Sequence, residues 1–201
     1  MSQFNTLTIQ DITRQTDKCV AITFNVPDHL KDYYQFKAGQ YITLKTTLNG
    51  AEVRRDYSLC TSPSSGKLTV AVKEVESGTF SKYANQTLKV GDTLDVAKPQ
   101  GRFTFTPDTS KTRTIAAFAA GSGITPVLSI LKTVLDISSR ISSLSTDSYS
   151  VNLVLFFLAI SLPHSSLHSL SLSARYYPLC DRQRSQALAY FSLVPFSRTE
   201  I

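Results

Sequence analysis

The chain is poor in cysteine: 201 residues contain three, Cys19, Cys60 and Cys180, far apart in the sequence. Without a Cys-x-x-Cys pair it carries no signature of zinc or iron–sulfur ligation. An odd, scattered set is also no disulfide framework, so a reducing cytoplasm is the expected setting. Long apolar runs are missing too. The longest, VNLVLFFLAISL at 151–162, falls short of the roughly 20 residues a membrane span needs. The N-terminal MSQFNTLTIQ has neither a basic n-region nor an apolar h-region, so no secretory signal is expected. Lysine and arginine never form a run. The net charge of +6 suits an anionic ligand or an acidic partner, but not a nucleic-acid tail. Glycine ends at Gly123 and lysine at Lys132. Across 137–201 serine makes up about a quarter of the residues and leucine about a sixth, a bias that sets this segment apart.

What is present begins with strands. TLTIQDITRQT and CVAITFNV alternate apolar and polar side chains and are rich in β-branched residues. QYITLKTTL and AEVRRDYSLCT flank Asn49-Gly50, a strong hairpin signal. GKLTVAVKEV and GDTLDVAKP each follow a glycine turn. Short strands at regular spacing predict an all-β barrel or sandwich over 1–108. One short helix, SGTFSKYANQTL, interrupts them behind small polar residues. After Pro107 the pattern changes. TRTIAAFAAGSGITPVLSILKTVL reads as apolar strand, glycine turn and helix, the opening of a nucleotide-binding α/β unit at 109–136.

Three stretches offer chemistry. In RRDYSLCTS, alternation puts Arg55 and Tyr57 on one face of a strand. Arg55 can fork onto a phosphate, Tyr57 can lie against a ring, and Ser58 offers a hydroxyl and an amide. In ESGTFSKYA, Gly78 precedes a helix start carrying Thr79 and Ser81, a possible phosphate cradle. In AAGSGITP, Gly121 and Gly123 let the backbone take positive φ and approach a ligand, while Thr125 and Pro126 suit the first helical turn. Taken singly, each is also how a surface arginine pair, a capped helix or a tight strand-to-helix turn looks.

Taken together and in this order, RxYS, Gly78-Thr-Phe-Ser81 and GSGITP resemble the ferredoxin–NADP reductase superfamily, and within it the reductase components of phenylacetyl-CoA epoxidases. The likeness runs from about residue 4 to 135 and includes FKAGQYITLK, LTVAVKEVESGTFSKYAN and VGDTLDVAKPQGRFTF. It implies a fold of β plus α/β type: a six-stranded antiparallel FAD-binding β-barrel, then a nucleotide-binding α/β domain, incomplete here. It implies an FAD-dependent NAD(P)H oxidoreductase that passes electrons to an oxygenase component, with FAD and NAD(P)H as cofactors. By the same resemblance Arg55 contacts the FAD pyrophosphate, Tyr57 packs on the flavin, and Ser58 lies near its reactive edge, with Leu59 beside it. Val72 and Lys73 line the flavin. Gly78, Thr79, Phe80 and Ser81 hold the pyrophosphate. Gly121, Ser122, Gly123, Ile124 and Thr125 sit where nicotinamide meets flavin, Ser58 and Thr125 being the expected catalytic positions. The reductase of another ring-hydroxylating oxygenase, or a flavin-binding remnant without turnover, stays open.

The resemblance ends near Leu135. The family's Tyr-Gly-Asn-Arg-like turn, its Cys-Gly-Pro motif and the cysteines of its [2Fe–2S] domain are absent. LAISLP at 158–163 stands where the Gly-Asn turn belongs, and a frame shifted by one nucleotide could restore Phe-Gly-Asn there. The expectation for 137–201 is an aberrant or disordered tail, leaving a lone strand and helix that cannot close a doubly wound sheet.

Overall fold

The computed structural model describes residues 3–108, 114–144, 152–157, 170–174 and 192–194. Six strands are built from the alternating segments: β1 (Phe4–Thr16), β2 (Cys19–Asn25), β3 (Tyr41–Leu48), β4 (Ala51–Ser58), β5 (Leu68–Lys73) and β6 (Thr93–Ala97). They form one antiparallel sheet in the order β4-β3-β6-β1-β2-β5. The β3–β4 hairpin turns at Asn49 (φ 52°) and Gly50 (φ 77°), the two positive dihedrals of a tight type I′ connection. The sheet curls until its two edge strands meet through a single bridge, Leu59 with Val70, and the Cys60 amide donates to the Thr69 carbonyl at 3.0 Å. Before that bridge β4 and β5 diverge, so the barrel is open along one side. Its interior is apolar: Ile22, Ile42, Leu44, Val70, Val72 and Val96 are each 0% exposed.

Helix α1 (Thr79–Gln86) follows β5 and packs on it. Phe80 and Ala84 enter the core. Its polar anchor is Asn85, buried, whose amide donates to the carbonyls of Val72 (3.0 Å) and Ser81 (2.8 Å). Arg14 of β1 closes the arrangement, donating to Asn85 Oδ1 (3.1 Å) and to its carbonyl (2.7 Å). Asparagine is a poor helix former, and its use here makes sense only through these bonds. Asn85→Ala is expected to lower unfolding free energy by about 1–3 kcal/mol, because buried partners lose their bonds. The exposed neighbour Gln86→Ala should cost under about 0.5 kcal/mol. Equal urea midpoints for the two variants would refute the anchor.

The second unit starts with β7 (Thr114–Ala119), a 3-10 turn (Gly121–Gly123) and helix α2 (Ile124–Leu144). Val127 and Leu131 pack with Ala119, Ile115, Ala117 and Ile124. Two features differ from the sequence expectation. The helix runs to Leu144, eight residues past the anticipated 136, and β7 does not stand alone. β8 (Asn152–Phe157) pairs with it in parallel, Ile115 opposite Leu153 and Phe118 opposite Phe156. This makes a strand–helix–strand unit, continued antiparallel by β9 (Leu170–Ala174) and β10 (Ser192–Val194). The run NLVLFF has the apolar, β-branched and aromatic character of a sheet strand covered on both faces. The stretch 158–163 lies outside the described residues, as does most of 137–201, on which the expectation of disorder fell.

Candidate functional site

Strand β4 lies at the open side of the barrel. Its register with β3 sets Arg55 opposite Leu44 and Tyr57 opposite Ile42, whereas Arg54 faces Lys45. Paired residues share a sheet face, so Arg55 and Tyr57 project to the interior side and Arg54 to the outer one. The Tyr57 ring is half-buried against the core and lies 5.6 Å from Phe80 of α1 at 35°. This contact joins the first two candidate stretches. Arg55 is exposed and donates to the Arg54 carbonyl at 2.6 Å; among the described residues it forms no ion pair with an acidic side chain. Arg54 is engaged, its Nε 2.7 Å from Glu52 Oε1 and its guanidinium 5.3 Å above the Phe4 ring.

At the start of α1 the surroundings of the Ser81 side chain matter. Its hydroxyl is buried, accepts from the Val75 amide at 3.2 Å and lies 3.5 Å from the Gly78 carbonyl. No side chain caps the helix. The first-turn amides of Thr79, Phe80 and Ser81 have no carbonyl one turn back within the helix, so they remain available to an anion. Gly78 is needed for space rather than dihedral: its φ is −83°, and a Cβ there would stand under 3.0 Å from Ser81 Oγ and Val75 Cγ2. At the glycine turn the reason is the reverse. Gly121 has φ 54°, and a Cβ on Gly121 or Gly123 would meet no atom within 4 Å. The backbone faces open space there, as a ligand approach requires. Gly123, expected to share the positive φ, does not. Thr125 Oγ1 donates to the Ser122 carbonyl at 2.9 Å, a local turn bond.

Other expected positions divide by what they can present. The Leu59, Val72 and Phe80 side chains belong to the core; the Leu59 amide is bonded to the Gln40 carbonyl at 2.9 Å, and the Val72 carbonyl to Asn85. Lys73 is exposed at the end of β5 and Thr79 lies at the start of α1. Ser58 ends β4 opposite Tyr41. Among the described residues no cluster of three or more His, Cys, Asp or Glu could hold a metal, and no helix is long and apolar enough to cross a membrane.

Burial pushes the Tyr57 phenol up to about 12, opposed by the nearby Arg55 charge. The ring is a neutral surface at physiological pH, as any tyrosine is, and burial extends that neutrality to higher pH. A folded-state value raised from 10.0 adds stability that is complete below pH 10 and is lost as pH rises toward about 12. Tyr57→Phe should flatten the alkaline decline of unfolding free energy in that window. An unchanged decline in the variant would show that another group titrates.

Known proteins share this fold. Residues 6–105 match a family described as the oxidoreductase FAD-binding domain. This part of the chain belongs to that family. The chain is 44% identical over 135 residues to a subunit of 1,2-phenylacetyl-CoA epoxidase from Escherichia coli (strain K12), covering 67% of this chain and 38% of that protein. It is 38% identical over 131 residues to the ferredoxin reductase component of 3-ketosteroid-9-alpha-monooxygenase from Rhodococcus rhodochrous, covering 64% and 36%. The chain thus spans less than two-fifths of these curated relatives. Among solved structures, the flavohem-like FAD/NAD binding domain of nitric oxide dioxygenase from Vibrio cholerae superposes with a TM-score of 0.62 over 80% of this chain and 64% of that one, at 21% identity. That likeness shows the fold, a ferredoxin–NADP reductase-like arrangement of open barrel and α/β unit.

The polar partners Asn85 and Arg14 escaped sequence reasoning. For Asn85, a polar residue at a core-facing helical phase is the one signal that could have revealed it.

Proposed function

We propose that the chain binds FAD along the open side of the barrel and serves as the flavin half of an NAD(P)H-dependent reductase. Its electrons would go to an oxygenase of the phenylacetyl-CoA epoxidase kind. The observation that carries the reading is the joining of Arg55 and Tyr57 to the start of α1 through the Tyr57–Phe80 contact. One surface thereby combines an exposed guanidinium, a neutral half-buried ring and a helix start whose amides are uncapped. A dinucleotide with a flat ring system and a pyrophosphate matches that set. Arg55 and the Thr79–Ser81 amides would hold the pyrophosphate, as fork and helix start respectively. Tyr57 would support the ring and keep water from one face of it. Ser58 would offer its hydroxyl at the ring's edge. The open space before Gly121 and Gly123 would admit the nicotinamide. FAD, when bound, accepts two electrons from a nicotinamide nucleotide and releases them one at a time.

The purified protein should be yellow, or become so with added FAD, absorbing at about 450 nm as flavins do. NADH or NADPH should bleach it without oxygen. A protein that stays colourless with FAD overturns the flavin site. A yellow protein that neither nucleotide bleaches is instead a flavin-binding module without turnover.

A further inference from the structure

Helix α2 has two faces, and its polar one lies against the barrel, with Ser129 and Thr133 buried, Asp136 partly buried and Lys132 at the exposed rim. Ile124, Val127 and Leu131 cover β7. On the other side Ser129, Lys132, Thr133 and Asp136 follow the i, i+3, i+4, i+7 spacing of a single helical face. Ser129 is 0% exposed and Thr133 7%. Ser129 Oγ donates to the Thr61 carbonyl at 2.7 Å and accepts from the Gly39 amide at 3.4 Å. Lys132 Nζ donates to the Cys60 carbonyl at 2.9 Å. Asp136 Oδ2 accepts from Ser62 Oγ and, at 2.7 Å, from Ser64 Oγ. Every one of these barrel partners except Gly39 lies between two and six residues beyond Ser58. The row therefore grips the segment that continues from the proposed ring-contacting end of β4. Its first member is five residues from Ile124, roughly 7.5 Å along the helix axis from the glycine turn.

We propose that Ser129, Lys132 and Asp136 are positioning residues that hold the Gly121–Gly123 turn in register with the Tyr57–Ser58 end of β4, so that a nicotinamide entering at the turn meets the flavin at productive spacing. This rests on the function proposed above. None of the three need touch either cofactor. Sliding α2 along the barrel would break all of these bonds at once, whereas flavin retention depends on β4 and α1 and should not notice. Small displacements of reacting groups can cost up to about a hundredfold in rate, so the grip bears on reduction rather than on flavin binding.

The test uses the full chain loaded with FAD. Lys132→Met keeps the aliphatic stem and removes the donor; Lys132→Arg restores a donor; Asp136→Asn weakens the serine bonds. Flavin content, anaerobic bleaching by NADH and by NADPH over a concentration series, and bleaching by dithionite are measured on each. Hydrogen exchange is followed at 59–64 and 121–128. In Lys132→Met and Asp136→Asn, flavin content and dithionite bleaching should stay at the parent level. The limiting rate with nicotinamide should fall about tenfold or more, and exchange at both segments should accelerate together. Lys132→Arg should recover most of both. Parent-level rates with parent-level exchange would overturn the proposal, as would a rate loss that merely tracks lost flavin. If neither nucleotide bleaches the parent, the functional reading has failed on its own. The exchange pattern then still decides whether the row couples the two segments: acceleration confined to one of them sinks it.

Discussion

Arg55→Ala is expected to leave the column nearly colourless, while Arg54→Ala stays as yellow as the parent. The two arginines are adjacent, equally charged and both exposed, so composition gives no reason to separate them. Register does. Arg55 stands opposite Leu44 on the face that carries Tyr57, and Arg54 opposite Lys45 on the other. Arg54 already pairs with Glu52 and lies over Phe4, and losing an exposed pair of that kind costs up to about 1 kcal/mol of stability. Arg55 bonds to the carbonyl of Arg54 and keeps the rest of its fork for an anion. Charge-assisted hydrogen bonds contribute about 1.5–3 kcal/mol, so the FAD dissociation constant of Arg55→Ala should rise roughly ten- to a hundredfold. Equal flavin content in the two variants would exclude Arg55 as the phosphate ligand. A second signature should accompany the loss: Arg55 holds the Tyr57 phenol lower than burial alone would, so that phenol should ionise at higher pH still in Arg55→Ala.

Gly39→Ala should be the most damaging single methyl in the barrel. Gly39 has φ 95°, and a Cβ there would sit under 3.0 Å from the Phe103 carbonyl oxygen. Backbone cannot yield as a side-chain tip does. The same residue gives its amide to Ser129, so a shift of the loop also disturbs α2. Strain at such a dihedral costs of order 1–3 kcal/mol, and the clash adds to it, for a total of about 3 kcal/mol or more. Gly50→Ala is the control: φ is 77° but no atom lies within 4 Å, so only the dihedral cost of about 1–2 kcal/mol applies. If urea unfolding shows the same loss for both, the packing against Phe103 has been misjudged.

The strands were legible because one face of each is wet and the other dry: period-two alternation in TLTIQDITRQT and CVAITFNV is the trace of that asymmetry. The hairpin at Asn49-Gly50 and the glycine turn at Gly121 were legible because positive φ restricts the residue type. Helix α2 shows where that reasoning stops. By pattern Ser129, Lys132 and Asp136 belong to a solvent face, since sequence cannot say that a second surface made of carbonyls and hydroxyls beyond β4 is waiting for them. Gly78 likewise announces a glycine but not its reason, which is the volume of Ser81 and Val75 rather than a dihedral. The run at 152–157 carried strand character all along; what obscured it was the altered composition around it.

The strand order of the barrel has a consequence for how the molecule is born. Chain neighbours give two local pieces, the β3–β4 hairpin and the β1–β2 hairpin; β5 then joins the second from across the first. β6 joins them as a strand, pairing with β1 on one side and β3 on the other, while the far edges meet only at the Leu59–Val70 bridge. Phe4 must wait for Ala97, so the contact closes a loop of nearly the whole domain, the kind of pairing that slows folding most. At a synthesis rate of about 5–20 residues per second, β1 shows an unpaired edge to the ribosome's surroundings for several seconds. Five residues, Thr93–Ala97, end that exposure when they emerge, and any pause in translation just before them would prolong it.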